Sequence, residues 1–378
     1  MAVGLKSEQK HLVVSAVNLT EAGPLTVLLE SLDVAAQILP AEWKITALVH
    51  SRSLIANPRV ETLEFPQCKR SWFTRLWFEW FEFGRLSRSL KPDLWLSLHD
   101  ITPRVQARRQ VVYCHNSSPF YQLTWREARL EPSFALFNLF YAQLYRAFIS
   151  RNQAVVVQQE WLRNAFQRLY AHPNVVVAYP AQQECVQAVQ AAVHHTRKPS
   201  AFSPLVLLYP ALPRVFKNFE VLCEAMKQLT PHIRGLLELR LTISGEENAY
   251  ARNLHRRFSS VPGVCFIARQ TRLQMEEEYR NCDVVLFPSR LETWGLPITE
   301  AKSRSKPLLV ADLPYAHETV GNCESVTFLP AHDAKSWAKT FESLAAGQWE
   351  FGRHSSPVPD EPFAADWSQL WRLLTNGL

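Results

Sequence analysis

The sequence predicts an α/β protein of two doubly wound, Rossmann-like domains. Short, continuously apolar runs alternate with amphipathic stretches along the chain, and one polar segment near the middle interrupts the rhythm. Runs that lack in–out alternation suit strands buried on both faces of a parallel sheet, and such a sheet needs a helix in each crossover. At 378 residues the chain is long enough for two domains with separate cores.

In the first half the runs are His11–Val17, Trp43–Val49, Leu94–Leu98, Gln110–Cys114, Ala154–Val157 and Val175–Ala178. In the second they are Leu205–Tyr209, Leu239–Ser244, Val264–Ala268, Val284–Pro288, Leu308–Ala311 and Val326–Leu329. Between them, Phe219–Leu229 places apolar residues at 219, 222, 225, 226 and 229, the spacing of one helix face. Residues 179–204 are polar, rich in Ala and Gln and bracketed by prolines. They hold no strand, and a helix fits only Glu184–His194. The expected division is therefore 1–180, a linker at 181–203, a second domain at 204–360 and a terminal segment at 361–378.

Composition narrows the function. Apolar residues at 47% and charged residues at 20% describe a folded chain. Lys and Arg outnumber Asp and Glu by 41 to 35, an excess suited to an anionic ligand or membrane surface but too small for a nucleic-acid partner. Seven dispersed cysteines without a C-x-x-C pair read as thiols in a reducing compartment. The N-terminus has no long apolar stretch, and no run approaches 18 apolar residues, so a cytoplasmic protein without a membrane span is expected.

Ligands of open α/β sheets bind at the carboxyl ends of the strands, so the loops there hold the candidates. After Val284–Pro288 come Ser289, Arg290, Leu291, Glu292, Thr293, Trp294, Gly295, Leu296 and Pro297. Pro297 suits a first helical turn, and Gly295 lets the backbone approach a ligand; together they make a helix N-terminus fit for phosphate. Glu292 in the loop and Glu300 in the first turn would be repelled by phosphate unless they face sugar hydroxyls. Both also fit a solvated loop acid and a dipole-complementing acid. After Leu205–Tyr209, Asn218 is a plausible N-cap, with Arg214 and Lys217 just ahead of it. Cations there oppose the helix dipole, so they read either as anion ligands or as surface charges. Ser244-Gly245-Glu246 forms a third strand-end turn.

Taken in order, these pieces resemble the nucleotide-sugar-binding domain of the retaining glycosyltransferases of family 4, which have the GT-B fold and include bacterial polysaccharide and lipopolysaccharide enzymes. Glu292 and Glu300 match that family's E-x7-E spacing. PSRLETWGLPITEA is similar to its loop-and-helix signature, ADLPYAHETVGN to the segment that follows, and LTISGEE and VVLFPS fall where expected. The likeness covers about residues 204–330. It departs at Tyr209-Pro210-Ala211, where the family has Gly-Arg-Leu. Ser303-Arg304-Ser305-Lys306-Pro307 replaces a small-Gly-x-Pro turn. Glu21-Ala22-Gly23-Pro24 has one glycine of the usual pair.

The resemblance implies transfer of a sugar from a nucleoside-diphosphate sugar with retention, to a glycan or lipid-linked acceptor. No cofactor beyond that co-substrate and no metal are implied, consistent with the absence of D-x-D. Arg214 and Lys217 would stabilise the leaving diphosphate and Glu292 would hold the transferred sugar, while Glu300, Gly295, Leu296, Trp294, Gly245 and Arg269 would contact the donor. His115 would reach the sugar from the acceptor domain, where Gly23, His99 and Asp100 are acceptor candidates. The helix at Asp366–Trp371 would return to pack on the first domain. An epimerase or phosphorylase of the same fold, or a non-catalytic nucleotide-sugar-binding partner, are the alternatives. A dinucleotide oxidoreductase lacks its G-x-G-x-x-G. Residues 69–91 interleave Trp and Phe with Lys and Arg. They read either as a helix with an aromatic core face or as an interfacial helix on an anionic bilayer.

Overall fold

The computed structural model describes residues 9–20, 22–180 and 198–378. Fifteen strands lie among them: β1 (Lys10–Ser15), β2 (Trp43–Val49), β3 (Val60–Glu64), β4 (Leu94–Ser97), β5 (Arg109–Cys114), β6 (Ala154–Val157), β7 (Val175–Ala178), β8 (Leu205–Tyr209), β9 (Leu237–Leu241), β10 (Val264–Phe266), β11 (Val284–Phe287), β12 (Leu308–Ala311), β13 (Cys323–Leu329), β14 (Gly352–His354) and β15 (Phe363–Ala364). They form two sheets and the chain divides into two units, as the apolar runs predict.

Among the described residues, the first unit contains 9–20, 22–120, 139–180 and 359–378. Its sheet has the order β15-β7-β6-β5-β4-β1-β2-β3, and every pairing is parallel. The centre is fully buried: Leu12, Val14, Leu94, Leu96, Val111 and Val156 exclude water on one face, with Val13 and Trp95 on the other. The terminal helix Trp367–Thr375 completes this core, burying Trp367, Leu370, Trp371 and Leu374, and the Trp371 indole donates to the Ser31 carbonyl at 2.8 Å. Asp366 caps it through the Gln369 amide at 2.8 Å.

Among the described residues, the second unit contains 121–138 and 198–358. Its sheet has the order β10-β9-β8-β11-β12-β13-β14, parallel except for the β13–β14 edge pair. The inclusion of 121–138 is a difference from the expected division, which leaves the whole stretch in the first domain. The reason is tertiary: Phe134 and Tyr121 pack against Phe216, and Glu127 and Glu131 pair with arginines of the second unit.

The unpredicted strands β3, β14 and β15 are short or lie at sheet edges. β3 carries Glu61 and Glu64, so it offers no continuous apolar run. β9 begins two residues earlier than expected because its half-buried charges Glu238 and Arg240 pair on its surface at 2.7 Å. The six described cysteines are free. The expected helix Glu184–His194 and most of the expected linker lie outside the described residues.

Candidate functional site

A doubly wound sheet opens a crevice where its strand order reverses, because the loops on either side leave in opposite directions. In the second sheet that point lies between β8 and β11. The loop after β8 carries Arg214 and Lys217; the loop after β11 carries Glu292 and Gly295. Lys217 Nζ meets Glu292 Oε1 at 2.5 Å, with both side chains mostly buried. Lys217 also lies 5.4 Å above the Phe287 ring and 5.7 Å from the Phe216 ring. Tyr209, at the end of β8, donates to the Lys217 carbonyl of its own loop at 2.6 Å, and the Arg290 amide ties the second loop to the first by donating to the Phe216 carbonyl at 2.7 Å.

Asn218 departs from its expected role. It stands at the N-cap position but adopts a left-handed conformation (φ 58°, ψ 40°), and its side chain makes no cap. Its amide donates instead to the Pro288 carbonyl at 3.1 Å and the Ala331 carbonyl at 2.7 Å, binding one loop to the other. Nor are the two cations simply surface charges. Arg214 Nε lies 2.8 Å from Glu131 Oε1 and Lys217 holds Glu292. Their partners lie too far along the sequence for local dipole reasoning to reach.

Gly295 precedes the helix Leu296–Ser303 with φ at 95°, a conformation that strains any other residue. Pro297 occupies the first turn and Leu296 is half exposed. Glu300 lies in the second turn, not the first. Its Oε2 accepts the Tyr279 hydroxyl at 2.6 Å, so a buried phenol orients it. Trp294 does not offer its indole to a ligand. The ring is buried and its N–H donates to Thr299 Oγ1 at 3.0 Å. Gly245 (φ 95°) turns the chain after β9, but its amide is taken by Glu247 Oε2 at 2.9 Å. Arg269 is exposed in the loop after β10, two strands from the reversal point.

The first sheet reverses between β1 and β4. His99, expected to contact an acceptor, is completely buried there. Its Nε2 faces Ser15 Oγ at 3.0 Å and Glu79 Oε1 at 3.1 Å, and its Nδ1 faces Arg75 Nη2 at 3.3 Å. Burial, with the Arg75 charge second, holds its pKa well below the usual value. No ring nitrogen is left for an acceptor. Asp100 is likewise committed: its oxygens accept the amides of His115 at 2.5 Å and Asn116 at 3.1 Å and the hydroxyls of Tyr145 at 3.0 Å and Tyr141 at 2.9 Å.

His115 is half-buried. Its Nε2 must donate to the Leu98 carbonyl at 2.6 Å, which fixes the tautomer and leaves Nδ1 as an acceptor. Burial lowers its pKa, with Asp100 opposing. Gly23 lies in the first turn of the helix Ala22–Ile38.

Sequence reasoning missed Glu127, Glu131, Arg290 and Tyr279 in the second unit. Thr124-x-x-Glu127 is a legible capping box, and it forms. Nothing local marks Glu131 as a partner of Arg214.

Residues 196–354 match the family model for "Glycosyl transferases group 1". Among curated relatives, a D-inositol 3-phosphate glycosyltransferase of Stackebrandtia nassauensis is 25% identical over 37% of this chain and 32% of its own length, so the match spans about a third of that relative. Among solved structures, the sucrose-phosphate synthase of Thermosynechococcus elongatus aligns with a TM-score of 0.60 at 15% identity, covering 89% of this chain and 90% of its own. Anabaena HepE in complex with UDP aligns with a TM-score of 0.56 at 13% identity, covering 90% and 93%. The fold is that of GT-B glycosyltransferase structures: two Rossmann-like α/β units.

Proposed function

We propose that this chain is a retaining glycosyltransferase that takes its sugar from a nucleoside-diphosphate donor bound at the carboxyl ends of β8 and β11. The observation that carries this reading is the meeting of Lys217 and Glu292 at the reversal point, inside the region that matches the group 1 model. A cation there stabilises the diphosphate as negative charge grows on it, and the helix N-terminus at Leu296 adds to the effect. Glu292 accepts from the transferred sugar's hydroxyls, and Glu300, steadied by Tyr279, accepts from the ribose. The side-chain cations carry the charge stabilisation without a metal. The acceptor, a glycan or a lipid-linked saccharide, attacks the face that the nucleotide leaves. HepE's complex with UDP supports a pyrimidine diphosphate as the first probe.

The test is a thermal-shift panel of UDP, GDP, TDP and their sugars, with and without EDTA. One diphosphate family should raise the apparent melting temperature, since a ligand that binds only the folded state stabilises it. EDTA should leave the rise intact, and a uniformly flat panel would remove the reading.

The helical run 72–90 favours a second element of this proposal, contact with an anionic bilayer. Its inner side carries Phe83, Phe78, Leu86 and Leu90 into the core beside Trp95. Its outer side leaves Trp72 at 44%, Phe73 at 87%, Trp77 at 52% and Phe81 at 46% exposure, with exposed Lys69, Arg70, Arg85 and Arg88 around them. Aromatics ringed by cations suit a negatively charged interface. No described helix is long and apolar enough to cross a membrane.

A further inference from the structure

The segment drawn from the first half of the chain into the second unit grips the loop after β8 at one residue. Glu131, buried, accepts the Val215 amide at 2.7 Å through Oε2 while its Oε1 lies against Arg214 Nε. Four residues earlier, Glu127 pairs with Arg290 Nη2, and the same Nη2 donates to the Val215 carbonyl at 2.7 Å. Val215 is thus held at its N–H and its C=O. The Arg214 guanidinium stands 5.3 Å from the Phe134 ring and 5.9 Å from the Phe216 ring, so its plane is also set by packing.

A guanidinium presents five N–H donors on three edges. Glu131 occupies the Nε side, and the Arg214 side chain remains 42% exposed. The Nη edge stays available to an anion while the carboxylate stays in place. Glu131 therefore does two opposed things. It fixes the orientation of Arg214, which favours anion binding, and it offsets the Arg214 charge, which disfavours it.

We propose that Glu131 is a positioning residue that tunes retention of the nucleoside diphosphate: it aims Arg214 at the diphosphate while its negative charge limits how tightly the free product is held. This inference rests on the donor-site reading above. Its signature is that two substitutions move affinity in opposite directions. Glu131→Gln keeps an oxygen for the Val215 amide and removes the charge, so diphosphate binding should tighten, on the order of threefold to tenfold. Turnover should then fall as product release slows. Glu131→Ala frees both Val215 and Arg214, so diphosphate binding should weaken and KM should rise. Nucleoside monophosphate binding should move less in both.

The experiment is calorimetric titration of wild-type, Glu131→Gln and Glu131→Ala protein with UDP, GDP, TDP and the matching monophosphates, at two salt concentrations, with kcat and KM for the donor that binds. If the Ala variant does not fold, Glu131→Gln in an Arg214→Ala background replaces it, and the tightening caused by Gln should shrink there. Wild-type protein that binds no diphosphate overturns the donor-site reading and this inference together. Wild-type protein that binds one, with a Gln variant that binds it no tighter, overturns this inference alone.

Discussion

The two sheets reverse strand order once each, and the two reversal points are chemical opposites. Between β1 and β4 the polar groups face inward: Ser15, His99 and Glu79 are completely buried and Arg75 nearly so. Between β8 and β11 they reach the surface, where Arg214 and, less so, Lys217 touch solvent. Topology brings polar residues to the same place in both, since strand ends at a reversal point have no neighbouring crossover above them. What covers the point decides the outcome. In the first unit the helical run 72–90, with a π turn at Phe78–Glu82, lays Arg75 and Glu79 over the strand ends. In the second unit Asn218, Arg290 and Glu131 tie the loops to one another and leave Arg214 partly exposed. The two points differ in solvent access: Arg214 stays 42% exposed although it pairs with Glu131, whereas Ser15, His99 and Glu79 are sealed.

That contrast can be broken from the closed side first. Arg75 is buried and donates to the His99 carbonyl at 2.8 Å. Arg75→Met should destabilise the first unit by about 1–3 kcal/mol, the range for leaving buried acceptors unpaired, because it removes the donor to the His99 carbonyl and Nδ1. Denaturant unfolding checks this, and nucleotide binding by the folded protein should be unchanged.

On the open side, Lys217→Ala should lower sugar-transfer turnover by about 10²–10³, the range for losing one charge-stabilising group, while monophosphate affinity changes far less. Steady-state rates beside titrations decide it. Equal losses in both would place Lys217 away from the diphosphate.

The two open-side glutamates should then separate. Glu300→Ala should weaken nucleotide binding by about 1–3 kcal/mol, the range for a hydrogen-bonded charged acceptor. Glu292→Gln should lower the transfer rate and leave nucleotide affinity nearly intact, because free nucleotide carries no sugar. The reverse pattern would exchange their roles.

A pH series sharpens the closed side further. Burial raises the Glu79 pKa from 4.5 to about 8, with Arg75 opposing. The folded protein therefore keeps a proton that the unfolded chain releases above 4.5. Its contribution to stability is fully present below 4.5 and is lost as pH rises through 8. The buried His99 acts with the opposite sign, its contribution being lost as pH falls below 6.5. Between pH 6.5 and 8, melting temperature should fall more steeply for wild type than for Glu79→Gln. Parallel curves would mean that Glu79 is ionised in the fold.

The smallest effect belongs to the outer surface of the run 72–90. Phe73→Ser with Trp77→Ser should reduce sedimentation with anionic vesicles several-fold at low salt and leave the fold intact, since both side chains are exposed. Equal, negligible binding by wild type to neutral and anionic vesicles would remove the bilayer from the proposal.

By itself the sequence determined whatever depends on neighbours in the chain. Apolar runs marked the central strands, Gly295 and Pro297 marked the start of a helix, and the loops after β8 and β11 were visible as holders of Arg214, Lys217 and Glu292. These are local signals of backbone conformation and strand burial, carried within a few residues. Tertiary structure alone decided which charges meet. Glu131 reaches Val215 across 84 positions and Glu127 reaches Arg290 across 163. It also decided that His99 is sealed in a core. Whether a polar side chain ends as a ligand or as another residue's partner depends on what packs over it. That is a property of the assembled sheet and its covering helices, which no short window of sequence contains.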